Sequence, residues 1–260
     1  MRIDKELVIR GLVPSRTKAQ ELIKEKLVLC NGKVIEKSNY IVNDNDIIEI
    51  KENDKLKYVS RGGLKLEKAI NDFNIDVSGL KVMDIGSSTG GFTDCALKHG
   101  AKAIIAIDVG TNLLHESLRN NKAIDLHEKT NFKDLDSKYF KDIDLAVCDV
   151  SFISLKKIID KISQEHIKID MVCLIKPQFE CGKEIADKYK GMILDKKVHI
   201  DIINDMIGYF NKLGFYVRDL TSSPIRGGDG NIEYLTYISN KISNNKIIDI
   251  EKLVRQSFKS

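Results

Sequence analysis

The chain has 260 residues, of which 42% are hydrophobic and 31% charged, with only three prolines. This composition is typical of a soluble globular protein and excludes a disordered one. The formal net charge is +4, and the whole excess lies in residues 1–68, which hold 15 Lys or Arg against 11 Asp or Glu. We therefore expect this part of the chain to contact a polyanion.

The composition also bears on location and on metals. Residues 1–10 carry too many charges for the core of a signal peptide, and no run of about 18 apolar residues could span a membrane. The five cysteines form no C-x-x-C pair, so they indicate neither a disulfide framework nor a zinc site. We expect a cytoplasmic protein with reduced thiols, no metal and no membrane partner.

The first 53 residues have the pattern of a small module of helices and strands. Apolar periodicity over residues 3–8 predicts a first helix, and Ser15 can cap a second one. Asn31-Gly32 predicts a two-residue hairpin turn, and residues 47–50 predict a further strand. The cations that the second helix is expected to present to solvent are Arg16, Lys18, Lys24 and Lys26.

This module resembles the α-L, or S-four-like, RNA-binding domain shared by a small-subunit ribosomal protein and many pseudouridine synthases. The resemblance is carried by the run P-S-R-T-K-A at residues 14–19, then by Val28 and the N-G turn. It implies that residues 1–53 bind RNA through Arg16, Lys18 and Lys24. A purely structural N-terminal cap is the alternative.

A charged linker is predicted at residues 54–60, followed by alternating strands and helices through residue 242. This alternation predicts an α/β domain, 61–242, with a Rossmann-like parallel sheet whose last strand is antiparallel. One more helix is predicted within residues 243–260. The predicted strands are 81–85, 103–107, 123–127, 145–150, 171–175, 215–220 and 232–238; predicted helices include 92–99, 113–120, 155–162 and 197–213.

A glycine-rich run, V-M-D-I-G-S-S-T-G-G-F-T at residues 82–93, follows the first strand of this domain. Glycines there let the backbone approach a ligand closely. Asp108 ends the next strand, 24 residues after Asp84, where a carboxylate can accept hydrogen bonds from ribose hydroxyls.

The spacing of this run decides between nucleoside cofactors. It fits neither G-x-G-x-x-G nor a P-loop, and an acidic residue two positions before the first glycine suits the amino group of a methionine-like moiety. We therefore expect S-adenosylmethionine rather than NAD, with Asn131 near the adenine edge. The residues expected to bind the cofactor are Asp84, Gly86, Ser87, Thr89, Gly90, Gly91, Phe92, Asp108, Asn131 and Asp149.

Two motifs that are missing from this chain reduce the number of possible methyl acceptors. Base-amine methylation usually accompanies an [N/D]-P-P-[Y/F] loop, and base-carbon methylation needs a nucleophilic cysteine, often beside proline; neither motif is present. Oxygen acceptors remain. A hydroxyl needs a base and a nearby positive charge, and a lysine can be that base if burial and a second lysine lower its pKa. The candidate residues near strand ends are Lys65, Asp149, Lys176 and Glu233.

These four residues match the Lys-Asp-Lys-Glu tetrad of FtsJ-like 2′-O-ribose methyltransferases. The chain as a whole resembles the TlyA family, also called hemolysin A, over about residues 1–240. The strings that carry this resemblance are S-R-G-G-L-K-L, D-I-G-S-S-T-G-G-F-T, D-V-S-F-I-S-L, K-P-Q-F-E and G-N-I-E-Y. The resemblance implies methylation of cytidine in ribosomal RNA, with Lys176 as the base, Lys65 tuning it, and Asp149 and Glu233 positioning both.

Two further arginines are predicted to contact RNA, and other functions stay open. Arg61 is the second residue of the S-R-G-G string, and Arg226 lies in the glycine-rich loop 222–231, which we expect to close on the RNA backbone. The alternatives are a membrane-active cytolysin and a non-catalytic ribosome-binding factor. The choice between the large ribosomal subunit alone and both subunits is left open, and the resemblance implies a monomer or weak homodimer.

Overall fold

The structure is a computed structural model that describes residues 1–13, 15–24, 26–51, 57–228 and 230–259. It divides into two compact units, Met1–Lys57 and Tyr58–Ser260, and each unit has its own hydrophobic core. Pro14 and positions 54–56 of the predicted linker lie outside the described residues. No helix in the described part of the chain is long and apolar enough to cross a membrane.

The first unit is an α/β module with the predicted order of elements. Its elements are α1 (Ile3–Ile9), α2 (Arg16–Lys24), β1 (Val28–Cys30), β2 (Lys33–Val34) and β3 (Ile48–Ile50). The strands form an antiparallel sheet in the order β2-β1-β3. Asn31 and Gly32 have φ angles of 50° and 75°, as a type I′ hairpin turn requires. Lys26 lies beyond the end of α2 rather than on it.

The second unit is a three-layer α/β domain. Its strands are β4 (Lys81–Ile85), β5 (Ala103–Ile107), β6 (Ile124–His127), β7 (Leu145–Cys148), β8 (Asp170–Ile175), β9 (Tyr216–Ser222) and β10 (Tyr234–Ser239). Its helices are α3 (Gly62–Phe73), α4 (Gly91–Lys98), α5 (Glu116–Arg119), α6 (Leu155–Gln164), α7 (Pro177–Glu180), α8 (Gly182–Lys188), α9 (Lys196–Lys212) and α10 (Ile250–Ser257).

The seven strands form one mixed sheet in the order β6-β5-β4-β7-β8-β10-β9. The pairs from β6 to β8 are parallel, and β10 is antiparallel to both neighbours, as predicted for the final strand. The chain moves outward from β4 to β6 and then returns to β7 on the other side of β4. Such a reversal opens a ligand crevice at the carboxyl ends of β4 and β7.

Several elements differ from the sequence prediction: helices α7 and α8 were not predicted, and strands β6, β9 and β10 have slightly different bounds. Three further differences have a local explanation or affect the site. The helix predicted over 113–120 is only α5, because the His115 side chain accepts a hydrogen bond from the Ser117 backbone N–H and starts the helix there. The strand predicted over 145–150 ends at Cys148, which places Asp149 in a loop. Helix α3 was not predicted, since it begins with two glycines, which are poor helix formers.

Candidate active site

Three of the four predicted catalytic residues lie at one edge of the sheet. Asp149 directly follows β7, and Lys176 directly follows β8. Tyr234 at the start of β10 pairs with Ile175 at the end of β8, so the antiparallel direction of β10 places Glu233 at the same edge. Lys65 comes from the first turn of α3, which packs against β10.

The four side chains form a closed set of ion pairs. Lys65 Nζ lies 2.9 Å from Asp149 Oδ2 and 2.7 Å from Glu233 Oε2. Lys176 Nζ lies 2.6 Å from Asp149 Oδ1 and 3.9 Å from Glu233 Oε1. A Cβ at Gly227 would lie 2.6 Å from Glu233 Oε1, so a residue without a side chain is needed there. Two lysines and two carboxylates thus balance in charge within one cluster.

The cluster is largely shielded from solvent, and its opposite charges stabilise one another. Lys65, Lys176 and Glu233 are buried, at 7%, 5% and 3% exposure. Burial opposes the charged form of Lys65, but the Asp149 and Glu233 carboxylates outweigh it and raise the pKa of Lys65. Burial also opposes the charged form of Asp149, yet Lys65 and Lys176 lower the pKa of that carboxyl. Lys65 therefore stays a cation at neutral pH and supplies the fixed positive charge.

Two neighbours of this cluster were not singled out from the sequence. Lys176 Nζ donates a hydrogen bond of 2.9 Å to Ser151 Oγ, which fixes the direction of the amine. Phe152 is 91% exposed and has a φ of 64°, an uncommon conformation for a bulky residue. Both lie within the string D-V-S-F-I-S-L, so the signal was present in the sequence but was assigned to Asp149 alone.

Asp84 forms the floor of the predicted cofactor site at the end of β4. Its Oδ2 accepts a 2.6 Å hydrogen bond from Thr93 Oγ1, whereas its buried Oδ1 has no hydrogen-bond partner among the described residues. Burial raises the pKa of Asp84 to about 7, with added repulsion from Asp149 and Asp108. An unpaired buried carboxylate oxygen is costly, so this atom is suited to bind a cationic donor such as an ammonium group.

The glycines of the turn that follows β4 lie close against other protein atoms. Gly86 has a φ of 82°, and a Cβ there would lie 3.1 Å from the Asp149 carbonyl oxygen. Gly90 has a φ of 90°. A Cβ at Gly91 would lie 2.8 Å from the Gly63 backbone nitrogen, so this glycine permits close contact between α3 and α4.

The other predicted cofactor residues surround this turn. Asp108 accepts hydrogen bonds from the backbone N–H groups of Ser88 at 2.8 Å and Gly110 at 2.7 Å, and each carboxylate oxygen keeps a further lone pair for ribose hydroxyls. Ser87 is buried and Thr89 is exposed. Phe92 is buried, and its ring packs within the core. Asn131 is exposed at the end of the loop after β6.

The donor set fits S-adenosylmethionine. Asp84, Asp108 and Asp149 all lie at the carboxyl ends of adjacent strands. Three carboxylates favour a nucleoside that carries an ammonium and a sulfonium, whereas they would repel the pyrophosphate of NAD. When bound, S-adenosylmethionine supplies an electrophilic methyl group to this crevice, which adjoins the lysine–carboxylate cluster through Asp149.

The predicted RNA contacts fall in both units. In the first unit, Arg16 Nε lies 2.8 Å from Asp4 Oδ2, and Arg2 also pairs with this buried carboxylate. Burial opposes the charged form, but hydrogen bonds from Gln20, Arg2 and Arg16 hold the pKa of Asp4 well below its usual range. Lys24 is exposed and Lys18 half-buried, so the cations of α2 are accessible.

In the second unit the two predicted arginines lie in different surroundings. Arg61 is exposed at the N-terminus of α3. Arg226 is exposed in the loop between β9 and β10, and its Nη2 lies 3.4 Å from the Ser257 carbonyl oxygen at the end of α10. This loop lines a cavity of about 370 Å³ beside Glu233. Asp229 of the same loop lies outside the described residues.

The doubly wound sheet, the glycine turn and the acidic strand ends define a methyltransferase that uses S-adenosylmethionine. Comparison with known proteins agrees: residues 58–240 match the FtsJ-like methyltransferase family, and residues 1–48 match the S4 domain.

Similar proteins cover nearly the whole chain. Hemolysin A of Brachyspira hyodysenteriae is 43% identical over 240 residues, covering 91% of this chain and 99% of that protein. The 23S rRNA (cytidine-2′-O)-methyltransferase TlyA of Campylobacter jejuni is 39% identical over 253 residues, covering 91% and 98%. A structure of a candidate hemolysin from Streptococcus thermophilus matches with a TM-score of 0.78 and 36% identity, covering 100% and 96%. The chain therefore belongs to the TlyA family of FtsJ-like methyltransferases.

These matches confirm the predicted fold class, the S4-like first module and the assignment as a methyltransferase with S-adenosylmethionine as its cofactor. The structure brings the four predicted catalytic residues together, and the roles of all the predicted site residues remain predictions.

Proposed function

We propose that this protein transfers a methyl group from S-adenosylmethionine to the 2′-hydroxyl of a cytidine in ribosomal RNA. The observation that carries the proposal is the ion-paired cluster of Lys65, Asp149, Lys176 and Glu233 beside the Asp84 crevice. All of its members except Asp149 are buried. The Campylobacter relative is named for this reaction on 23S rRNA, and large-subunit RNA is therefore the first substrate to test.

In the proposed reaction, Lys176 in its neutral form would accept the proton of the ribose hydroxyl. The hydroxyl oxygen would bond to the methyl carbon as the bond from that carbon to the sulfur of S-adenosylmethionine breaks, and S-adenosylhomocysteine would leave. Asp149 holds the amine at 2.6 Å, and Ser151 holds it at 2.9 Å. With Lys176 neutral, the cluster carries one net negative charge. When Lys176 accepts the proton, the net charge of the cluster returns to zero. The charge of Lys65 stabilises the developing alkoxide.

The acceptor is proposed to be RNA because both units offer RNA-binding chemistry. Exposed cations Arg16 and Lys24 lie on or at the end of α2 of the S4 domain, and such cations contact phosphates. In the second unit, Arg61 and Arg226 are proposed phosphate contacts, and the exposed ring of Phe152 offers a surface on which a base can stack. We propose that the protein acts in the cytoplasm as a monomer or weak homodimer.

The proposal is tested by the position of the new methyl group. RNA from large ribosomal subunits is incubated with the protein and labelled S-adenosylmethionine, digested to nucleosides, and separated by mass. We expect 2′-O-methylcytidine. A methyl group on a base would contradict the proposed acceptor. Lysis of erythrocytes by purified Lys176→Ala protein would instead favour the cytolysin alternative.

A further inference from the structure

Two segments that carry catalytic residues run side by side at the edge of the sheet. The first, residues 149–154, joins β7 to α6, and the second comprises residues 176–180 after β8. Near the cluster, Lys176 bonds to Ser151. Further along, the rings of Phe152 and Phe179 lie 5.4 Å apart. The two segments therefore stay in contact as they leave the cluster.

The last contact between the segments is made by one carboxylate. Glu180 Oε2 accepts a 2.6 Å hydrogen bond from Ser154 Oγ, and Glu180 Oε1 accepts a 2.7 Å hydrogen bond from the Leu155 backbone N–H. Glu180 stands four residues after Lys176, and Ser154 stands five residues after Asp149. The carboxylate thus joins the far ends of both segments.

Capping of α6 alone does not account for Glu180. Ser154 already caps this helix, because its Oγ accepts a 3.2 Å hydrogen bond from the Lys156 backbone N–H. One of the two Glu180 oxygens, Oε2, bonds to the Ser154 hydroxyl and not to a helix N–H. Burial, moreover, raises the pKa of Glu180, although Ser154 and Leu155 partly oppose this. A half-buried carboxylate is costly to keep charged, so its benefit is expected in the joining of the two segments.

We propose that Glu180 is a positioning residue, which holds the Asp149 loop against the Lys176 segment and so sets the geometry of this pair during methyl transfer. The inference rests on the proposed function, because it assigns Lys176 and Asp149 their roles there. Glu180 itself does not contact the cluster in this structure, and its effect is transmitted through Ser154 and α7.

The test compares methylation rates of full-length variants on large ribosomal subunits. Glu180→Ala removes both hydrogen bonds. Glu180→Gln can keep them, because its oxygen can accept from Leu155 and its amide can donate to Ser154 Oγ. Asp205→Asn is the control for the loss of a charge, since Asp205 of α9 pairs with Lys156 of α6 at 2.6 Å and acts on Glu180 through its charge rather than through a hydrogen bond. Lys176→Ala reports whether the proposed function itself holds.

We expect Glu180→Ala to lower kcat about 10- to 100-fold, the range of a displacement near 1 Å. KM for the subunit and the affinity for S-adenosylhomocysteine should change less than about twofold, because the binding surfaces are untouched. Glu180→Gln should recover most of the rate, and Asp205→Asn should match wild type. Ser154→Ala is a milder change and should lower kcat less. This variant tests the proposal if Glu180→Ala fails to fold.

Different results would overturn the positioning role of Glu180 and the proposed function. Wild-type rates in Glu180→Ala and Ser154→Ala, with Lys176→Ala inactive, would overturn the positioning role and leave the proposed function intact. The positioning role would also be overturned if Glu180→Ala lowered cofactor affinity and melting temperature as strongly as kcat, because the role of Glu180 would then be structural. The same conclusion would follow if Glu180→Gln did not restore kcat. Full activity in Lys176→Ala would overturn the proposed function instead.

Discussion

Asp84 combines complete burial with an unpaired carboxylate oxygen, so its charge is poorly stabilised until a cation binds. Burial raises its pKa to about 7. A bound ammonium favours the charged form, and binding therefore releases a proton below that pH. We expect the affinity for S-adenosylhomocysteine, which keeps the methionine ammonium, to rise about tenfold between pH 6 and pH 8, as measured by titration calorimetry.

Asp84→Asn is the matched variant for this pH effect. Its affinity should be weak and nearly independent of pH. The folded-state pKa lies above the ordinary 3.8, so the free protein binds more protons than the unfolded chain between pH 3.8 and about 7 and loses stability as the pH rises through that window. At pH 8 the free energy of unfolding of the ligand-free variant should therefore be higher than that of wild type, by up to about 4 kcal/mol. An unchanged pH dependence in the variant would assign the titration to another group.

Individual residues could be predicted from the sequence where a motif names them. Lys65, Asp149, Lys176 and Glu233 were predicted as a set, and the structure brings all four together. Ser151 and Glu180 were not, although they lie in the same strings. Their role depends on contacts between segments about 25 residues apart, and spacing along one chain does not show which residues meet.

At the scale of elements, Gly91 determines how closely α3 and α4 approach. A Cβ there would lie 2.4 Å from Ser60 Oγ and 2.8 Å from the Gly63 nitrogen. We expect Gly91→Ala to lower the free energy of unfolding by about 2 kcal/mol or more through overpacking and to weaken cofactor binding, because α4 begins at the glycine turn. Chemical denaturation measures the first effect.

Gly208 provides the control for this substitution. It lies in α9, is exposed, and a Cβ there would meet nothing within 4 Å. Gly208→Ala should raise the free energy of unfolding by about 0.5–1 kcal/mol through helix propensity, with cofactor affinity unchanged. Equal stability of the two variants would contradict the packing argument.

The buried Asp4 in α1 is expected to orient Arg16 of α2, which is predicted to bind RNA. We expect Asp4→Ala to lower the melting temperature and to weaken RNA binding, because Arg16 loses its buried partner. The exposed Asp44 is the control, since Asp44→Ala changes the net charge equally. Filter binding with ribosomal RNA compares them. If both variants bind RNA more tightly than wild type, net charge rather than arginine orientation controls affinity.

Elements were predicted well where local signals are strong. The Asn31-Gly32 turn and the strands β4 and β5 appear at the predicted residues. Helix α3 was missed, because Gly62 and Gly63 argue against a helix locally. Glycine is needed at position 63 because of tertiary packing. A Cβ at Gly63 would lie 2.3 Å from the ring of Tyr58, which excludes a better helix former at this position.

At the scale of the whole molecule, the two units divide the work in the proposed function. The S4 domain supplies exposed cations for RNA, and the FtsJ-like domain supplies the cofactor crevice and the lysine–carboxylate cluster. The sequence predicted this division from the charge excess in residues 1–68 and from the change to alternating strands and helices. It could not predict the strand order, because the reversal beside β4 depends on long-range pairing.

The central claim is that Lys176 catalyses methyl transfer to ribosomal RNA. The most direct measurement is the transfer of label from radiolabelled S-adenosylmethionine to purified large and small ribosomal subunits, with wild type and Lys176→Ala side by side. We predict label in large-subunit RNA with wild type and none with Lys176→Ala, while both proteins bind S-adenosylhomocysteine. The small subunit shows whether one or both RNAs are substrates. Equal labelling by the two proteins, or no labelling of either subunit by wild type that binds the cofactor, would contradict the claim.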